Sequence, residues 1–211
     1  MITLFEALFI LALDEEEGVL VESVAGSLSA TLAGALLAEL ALQKRIELED
    51  SRVVVIDPTP TTHPILDRSL LDILDTARAR KLKYWINTLT YHKLPEEIGH
   101  HLVKEGVLVR KKKRLRLAIP SGESQAADLS AKYALKSRLR EIVLAERPPE
   151  LSEKILLTMI EHGGLIKLVF TRGERKVAHK RMKKLIKGDG EVDGLGKTLD
   201  EILAVACETR G

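Results

Sequence analysis

One cysteine in 211 residues, Cys207, leaves no internal disulfide and no cysteine-built zinc cluster, which fits a reducing compartment. Aromatic residues make up only 3%, with a single Trp, so the core has to come from aliphatic side chains; abundant Leu and Ala lean toward helices packed on helices. Long apolar runs are missing too. The opening "MITLFEALFILALDEEEG" has no Lys or Arg before its apolar stretch and four acidic residues directly after it, unlike a secretory signal. The stretch also falls short of the ~20 residues that a bilayer span needs. It reads as a buried helix, and the protein as soluble or peripheral.

What the chain does have is charge, unevenly spread. Residues 1–70 carry 12 acidic and 4 basic side chains, while residues 71–211 carry 19 acidic and 29 basic. The total of +2 therefore hides a dipole that would orient the protein on an anionic surface.

Helical spacing is clearest in "SLSATLAGALLAELALQKR", residues 27–45, where Ser27 or Ser29 could supply a cap. Ala30, Ala33, Gly34 and Ala38 form a face of small residues suited to close helix approach. "IELED" and "RVVVI" follow as strands with Asp50 and Ser51 at the turn. The pattern recurs about 60 residues on. In "LPEEIGHHLVKEG", Leu94, Ile98 and Leu102 stack, Pro95 suits a first helical position and Gly106 a stop. A second hairpin comes next. Residues 65–91 supply one or two helices ending near Trp85, "IPSGESQAAD" reads as a polar loop, and 129–145, 151–169, 174–187 and 197–208 as helices. The expected fold is mainly α. Two winged-helix-like helix-plus-hairpin units (1–60 and 61–120) and a helical C-terminal part (121–211) make one domain over 1–211.

The second hairpin, "VLVRKKKRLRLAI" at 107–119, is the most charged local feature. Strand alternation points Arg114 and Arg116 to one face and Leu115, Leu117 and Ile119 to the other, with Lys111, Lys112 and Lys113 at the tip and Arg110 before them. Near an anionic leaflet each such cation is worth ~1 kcal/mol, giving useful but unselective binding. Charged hairpins also serve as plain edge protection.

Other candidates carry less. His92, His100 and His101 are close in sequence, but neighbours on a helix point about 100° apart, so no metal ligand set is assigned. Trp85, Tyr84 and Tyr91 could anchor at an interface, though core packing suits a lone Trp. Glu15, Glu16, Glu17, Glu96 and Glu97 fit turns and helix starts. The glycines of "KGDGEVDGLGK" follow no predicted strand, so no phosphate loop is read there. No nucleophilic triad signature and no cofactor motif emerge, and no enzyme is argued.

With these elements in order, the chain resembles the Golgi phosphoprotein 3 family. The resemblance rests on "ITLFEALFILAL" with its acidic turn, "LAGALLAELALQKRIEL", "LVKEGVL" leading into the hairpin, and "VAHKRMKKLIKGDGEV" followed by "LDEILAVACE". It implies a mostly helical, non-catalytic peripheral membrane protein at the cytoplasmic face, of the Golgi in a eukaryote. Such a protein binds phosphatidylinositol 4-phosphate and acts as an adaptor for client proteins, with the hairpin supporting self-association. The family's headgroup pocket uses a tryptophan and arginines. The corresponding positions here are Ser23 or Val24, Ala33, His92 and Pro95, of which only His92 can carry charge, as a remnant of that pocket. Anionic-lipid contact is therefore expected at Arg110, Lys111, Lys112, Lys113, Arg114 and Arg116. The competing reading is a winged-helix nucleic-acid binder with the hairpin as its wing. Its recognition helices would be poor in base-reading side chains, offering little beyond Lys93, Lys104 and Gln43.

Overall fold

The computed structural model describes residues 2–14, 20–91, 93–110, 125–127, 129–187 and 194–208. The chain begins with α1 (Leu4–Ala12), whose nine side chains are all buried. Thr3 and Glu6 close a capping box at its start: Glu6 Oε2 accepts from the Thr3 amide at 2.8 Å and from the Thr3 hydroxyl at 2.9 Å. At its other end the buried Lys132 donates to the Leu13 carbonyl, where the helix dipole favours a cation.

The long helix α2 (Glu22–Leu42) packs against α1 and, further along the chain, against α4 (Leu82–Tyr91), α5 (Leu94–Lys104) and α9 (Gly194–Glu208). It starts five residues before Ser27, so neither Ser27 nor Ser29 caps it; the Ser27 hydroxyl instead bonds to the carbonyls of Val24 and Gly163. A Schellman turn ends it. Lys44, at φ 54°, sends its amide to the Ala41 carbonyl, and the Arg45 amide reaches Leu40.

Strands β1 (Ile46–Glu49) and β2 (Arg52–Val55) pair antiparallel, Glu49 opposite Arg52. Asp50 and Ser51, both at positive φ, make the tight two-residue turn that matches strand twist. Helices α3 (Pro64–Leu74) and α4 (Leu82–Tyr91) follow. Trp85 lies in the first turn of α4, where a helix opens and does not close, and is buried. Helix α5 (Leu94–Lys104) starts at Leu94, with Pro95 second and not first, and is closed at Gly106, φ 73°, by a second Schellman turn: the Gly106 amide bonds Val103 and the Val107 amide bonds Leu102.

Strand β3 (Leu108–Arg110) pairs antiparallel with β4 (Gln125–Ala127), Arg110 opposite Gln125. The expected polar loop thus supplies the strand bonded to β3. The expected strand at 114–119 lies outside the described residues. Helix plus hairpin therefore occurs twice, and helices complete the chain: α6 (Leu129–Leu144), α7 (Leu151–His162), α8 (Arg175–Lys187) and α9 (Gly194–Glu208). The helix expected over 151–169 breaks at Gly163 and Gly164, the latter at φ 66°, and resumes as a 3₁₀ turn at Ile166–Leu168.

The small-residue face of α2 meets α9. A Cβ built on Gly34 would lie 2.4 Å from the Cβ of Ala206, a separation that real side chains do not tolerate. Gly34→Ala should gain ~1 kcal/mol of helix propensity but lose ~3 kcal/mol to overpacking, a net loss of ~2 kcal/mol. Adding Ala206→Gly should recover most of that steric part. Urea unfolding of the two single variants and the double variant measures the coupling.

Candidate functional site

Helix α8, "RKVAHKRMKKLIK", has seven Lys or Arg among its thirteen residues: Arg175, Lys176, Lys180, Arg181, Lys183, Lys184 and Lys187. Ala178 and Met182, one turn apart, are fully buried and hold it to the body. Lys176, Lys180, Lys183 and Lys184 are spaced by four, three and one, and all are exposed, as is Val177. They share one solvent face.

The arginines and the histidine of this region are engaged with the protein. Arg181 donates to the Val143 and Leu144 carbonyls at 3.1 and 2.6 Å, satisfying the C-terminal end of α6, and lies 3.0 Å from Glu146. His179 Nδ1 sits 2.5 Å from Glu161. Arg175 donates to the Phe170 carbonyl at 3.2 Å. In front of the helix, Arg140 of α6 grips Glu174 with two bonds of 2.6 and 2.5 Å. Glu174 also accepts from the amide and hydroxyl of Thr171, and so fixes where α8 begins.

No described carboxylate pairs with Lys176, Lys180, Lys183 or Lys184. Like charges one turn apart on a helix cost ~0.2–0.5 kcal/mol per pair. A face built this way gains when a negative surface approaches. Beside it, a cleft of about 500 Å³ is lined by Arg147, Lys154, Arg181 and Lys184 with Pro148 and Pro149. Arg147 is held there by Glu153 at 2.6 Å, and Arg181 by its α6 carbonyls, so both serve the wall of the cleft.

Of the residues expected from sequence to meet an anion, Arg110 is the last residue of β3. Lys111, Lys112, Lys113, Arg114, Arg116 and His92 lie outside the described residues. His100 and His101 do diverge: His100 is exposed, while His101 turns inward toward Glu6. In the sequence the clustered cations of 110–116 stand out as a candidate surface, whereas those of α8 are interleaved with apolar residues. The signal in α8 is legible in its spacing, since Ala178 and Met182 mark the inner side. Which cations stay free depends on where Glu146, Glu161 and Glu174 fall in space.

A model of the family described as Golgi phosphoprotein 3 (GPP34) matches residues 4–203, nearly the whole chain.

The Arg140–Glu174 clamp sets a pH dependence. Hydrogen bonds from Arg140 first, and then from Thr171, bring the Glu174 carboxyl down from its ordinary 4.5 to about 2. A lowered carboxyl contributes stability that is complete above its ordinary value and is lost as pH falls toward the folded value. Its contribution should therefore fade between pH 4.5 and about 2. Arg140→Gln should lower stability at neutral pH and flatten the slope across that window. In a Glu174→Gln background the same change should have little effect. Denaturation midpoints taken at stepped pH measure both.

Proposed function

Because the chain belongs to the Golgi phosphoprotein 3 family, we propose that it acts as a non-catalytic adaptor held peripherally on an anionic membrane surface through cationic side chains. Family membership supports a Golgi-associated, adaptor-type role. No helix among the described residues is long and apolar enough to cross a membrane. Peripheral contact is the mode that the proposal assigns.

The observation that carries the lipid-contact part is the exposed face of α8, where Lys176, Lys180, Lys183 and Lys184 have no ion-pair partner among the described residues. Lysine suits this task. Its compact ammonium meets phosphate as a point charge, whereas a bidentate arginine would impose one geometry. At ~1 kcal/mol each near an anionic leaflet, four lysines supply ~4 kcal/mol, and the hairpin cations Arg110, Lys111, Lys112, Lys113, Arg114 and Arg116 add to this. Exposed Val177 contributes an apolar contact beside them.

Such attraction selects charge more than headgroup shape. Phosphatidylinositol 4-phosphate enters as a highly charged member of the anionic class, with His92 a remnant of the family pocket. Self-association through the 107–119 hairpin and the holding of protein clients complete the adaptor role.

Co-sedimentation of the full chain with vesicles tests the reading. Binding should be absent on phosphatidylcholine alone. It should appear with phosphatidylserine or phosphatidylinositol 4-phosphate and weaken as salt rises through the Debye-screening range. Changing Lys176, Lys180, Lys183 and Lys184 together to Ala should reduce it by ~10²-fold or more, and Lys111, Lys112 and Lys113 to Ala by ~10-fold or more. Indifference to every vesicle, alongside tight salt-sensitive binding to duplex DNA, would replace this reading with the nucleic-acid one.

A further inference from the structure

Three side chains from distant parts of the chain converge beside the start of α1. Glu6 comes from its first turn, His63 from the residue that precedes α3, and His101 from the inner side of α5. Glu6 is buried and both imidazoles are mostly so, with side-chain exposures of 15% and 13%. The Nε2 atoms of the two histidines aim at one carboxylate oxygen, Glu6 Oε1, at 3.3 Å from His63 and 3.6 Å from His101. All three donor atoms lie within 4.8 Å of one another. The rings sit side by side, centroids 4.4 Å apart.

From Glu6, His63 and His101 we propose a binding site for one first-row divalent cation of the zinc type, with a remaining coordination position open to solvent. Donors bound ~2.0–2.1 Å from a tetrahedral ion stand ~3.3 Å apart, close to both His–Glu separations. With all three donors within 4.8 Å of one another, no pair needs to close by more than ~1.5 Å, a shift within reach of side-chain rotation. The ligand chemistry fits as well: imidazole nitrogen and carboxylate oxygen suit zinc, cobalt and their neighbours, and exclude a preference for calcium or magnesium.

The surroundings hold the donors in place. Glu6 Oε2 is occupied by the amide and hydroxyl of Thr3, which leaves Oε1 as the oxygen that faces the histidines. Hydrogen bonds to a ligating carboxylate of this kind orient it toward its ion. Phe5 packs edge-on against His63 at 5.2 Å and limits the tilt of the ring. Nε2 is the ring nitrogen of His63 that faces Glu6 Oε1, while Nδ1 is buried on the other side without a hydrogen-bond partner. His101 Nε2, at 3.6 Å, stands beyond hydrogen-bond distance of the oxygen it faces. A dication between the three groups gives that nitrogen a partner and balances the carboxylate. Access comes from a cleft of about 780 Å³ lined by these three residues together with Thr61, Lys104 and Glu105. Three protein ligands and an open position are the pattern of a site that exchanges its fourth ligand, not of a closed structural one.

The test uses the full chain without an affinity tag, stripped with a chelator and titrated with Co²⁺ and then Zn²⁺. One equivalent of Co²⁺ should produce visible ligand-field bands of four- or five-coordinate intensity, and Zn²⁺ should abolish them. Zn²⁺ should also raise the unfolding temperature, since it pins α1, α3 and α5 together. His63→Gln, His101→Asn and Glu6→Gln should each weaken binding by more than ~100-fold, beyond the usual effect of losing an outer-shell partner. His100→Ala should leave it intact. Far-ultraviolet dichroism checks that each variant is folded. The proposal fails if Co²⁺ gives only the weak spectrum of the hydrated ion. It also fails if folded His63→Gln and His101→Asn chains retain the parent stoichiometry and affinity. It equally fails if His100→Ala alone removes binding.

Discussion

The arrangement of this protein depends on two helices with no exposed charge among their described side chains. Every side chain of α1 is buried, and α2 is closed in by α1, α4, α5 and α9. Leu8, Phe9, Ile10, Leu32, Leu36 and Leu37 are among the fully buried side chains, each worth ~1.5–3 kcal/mol on removal from water. Such a centre has few aromatics to fill it, so it closes by backbone approach, and Gly34 against Ala206 is where that approach is tightest. With the centre apolar, charge collects at helix ends and on the outer helices.

There the two kinds of cation divide the work. Arg45, Arg68, Arg138, Arg140, Arg147 and Arg181 each pair with a carboxylate, and several bridge elements far apart in the chain. A planar guanidinium keeps its charge and offers several donors at once, which suits it to such joints. Glu153, for instance, receives both Arg138 and Arg147; burial would raise its carboxyl, but the hydrogen bonds from Arg147, the Glu150 amide and Arg138 hold it below its ordinary range. Lys176, Lys180, Lys183 and Lys184 of α8 face outward, and no described carboxylate pairs with them. The lipid-contact part of the proposal grows from this contrast between the paired arginines and the four exposed lysines of α8.

Glu6 shows how one carboxylate can serve two purposes. Burial would raise its pKa, yet hydrogen bonds from His63 and Thr3 hold it lower, so it stays ionised. One oxygen caps the central helix. The other gathers two histidines whose chain positions are far from its own. The start of α1, the entry to α3 and the inner side of α5 thereby meet around one carboxylate oxygen.

Much of the local structure was readable before any coordinates. Asp50 and Ser51 mark the β1–β2 turn, Pro95 and Gly106 lie within a residue or two of the ends of α5, and the small-residue spacing of α2 points to a close neighbour. These follow from backbone chemistry within a few residues, which sequence carries directly. The family resemblance was legible for the same reason, in ordered local stretches. Tertiary structure decided the rest. Hydrogen bonds from β3 went to Gln125–Ala127, Trp85 opened a helix instead of closing one, and Ser27 lost its capping role because α2 began a turn and a half earlier. The convergence of Glu6, His63 and His101, and the lack of a described carboxylate beside Lys176, Lys180, Lys183 and Lys184, depend on which side chains meet after the chain has folded back on itself. Spacing along a sequence specifies direction on one helix, whereas partnership between charges is a matter of distance in three dimensions.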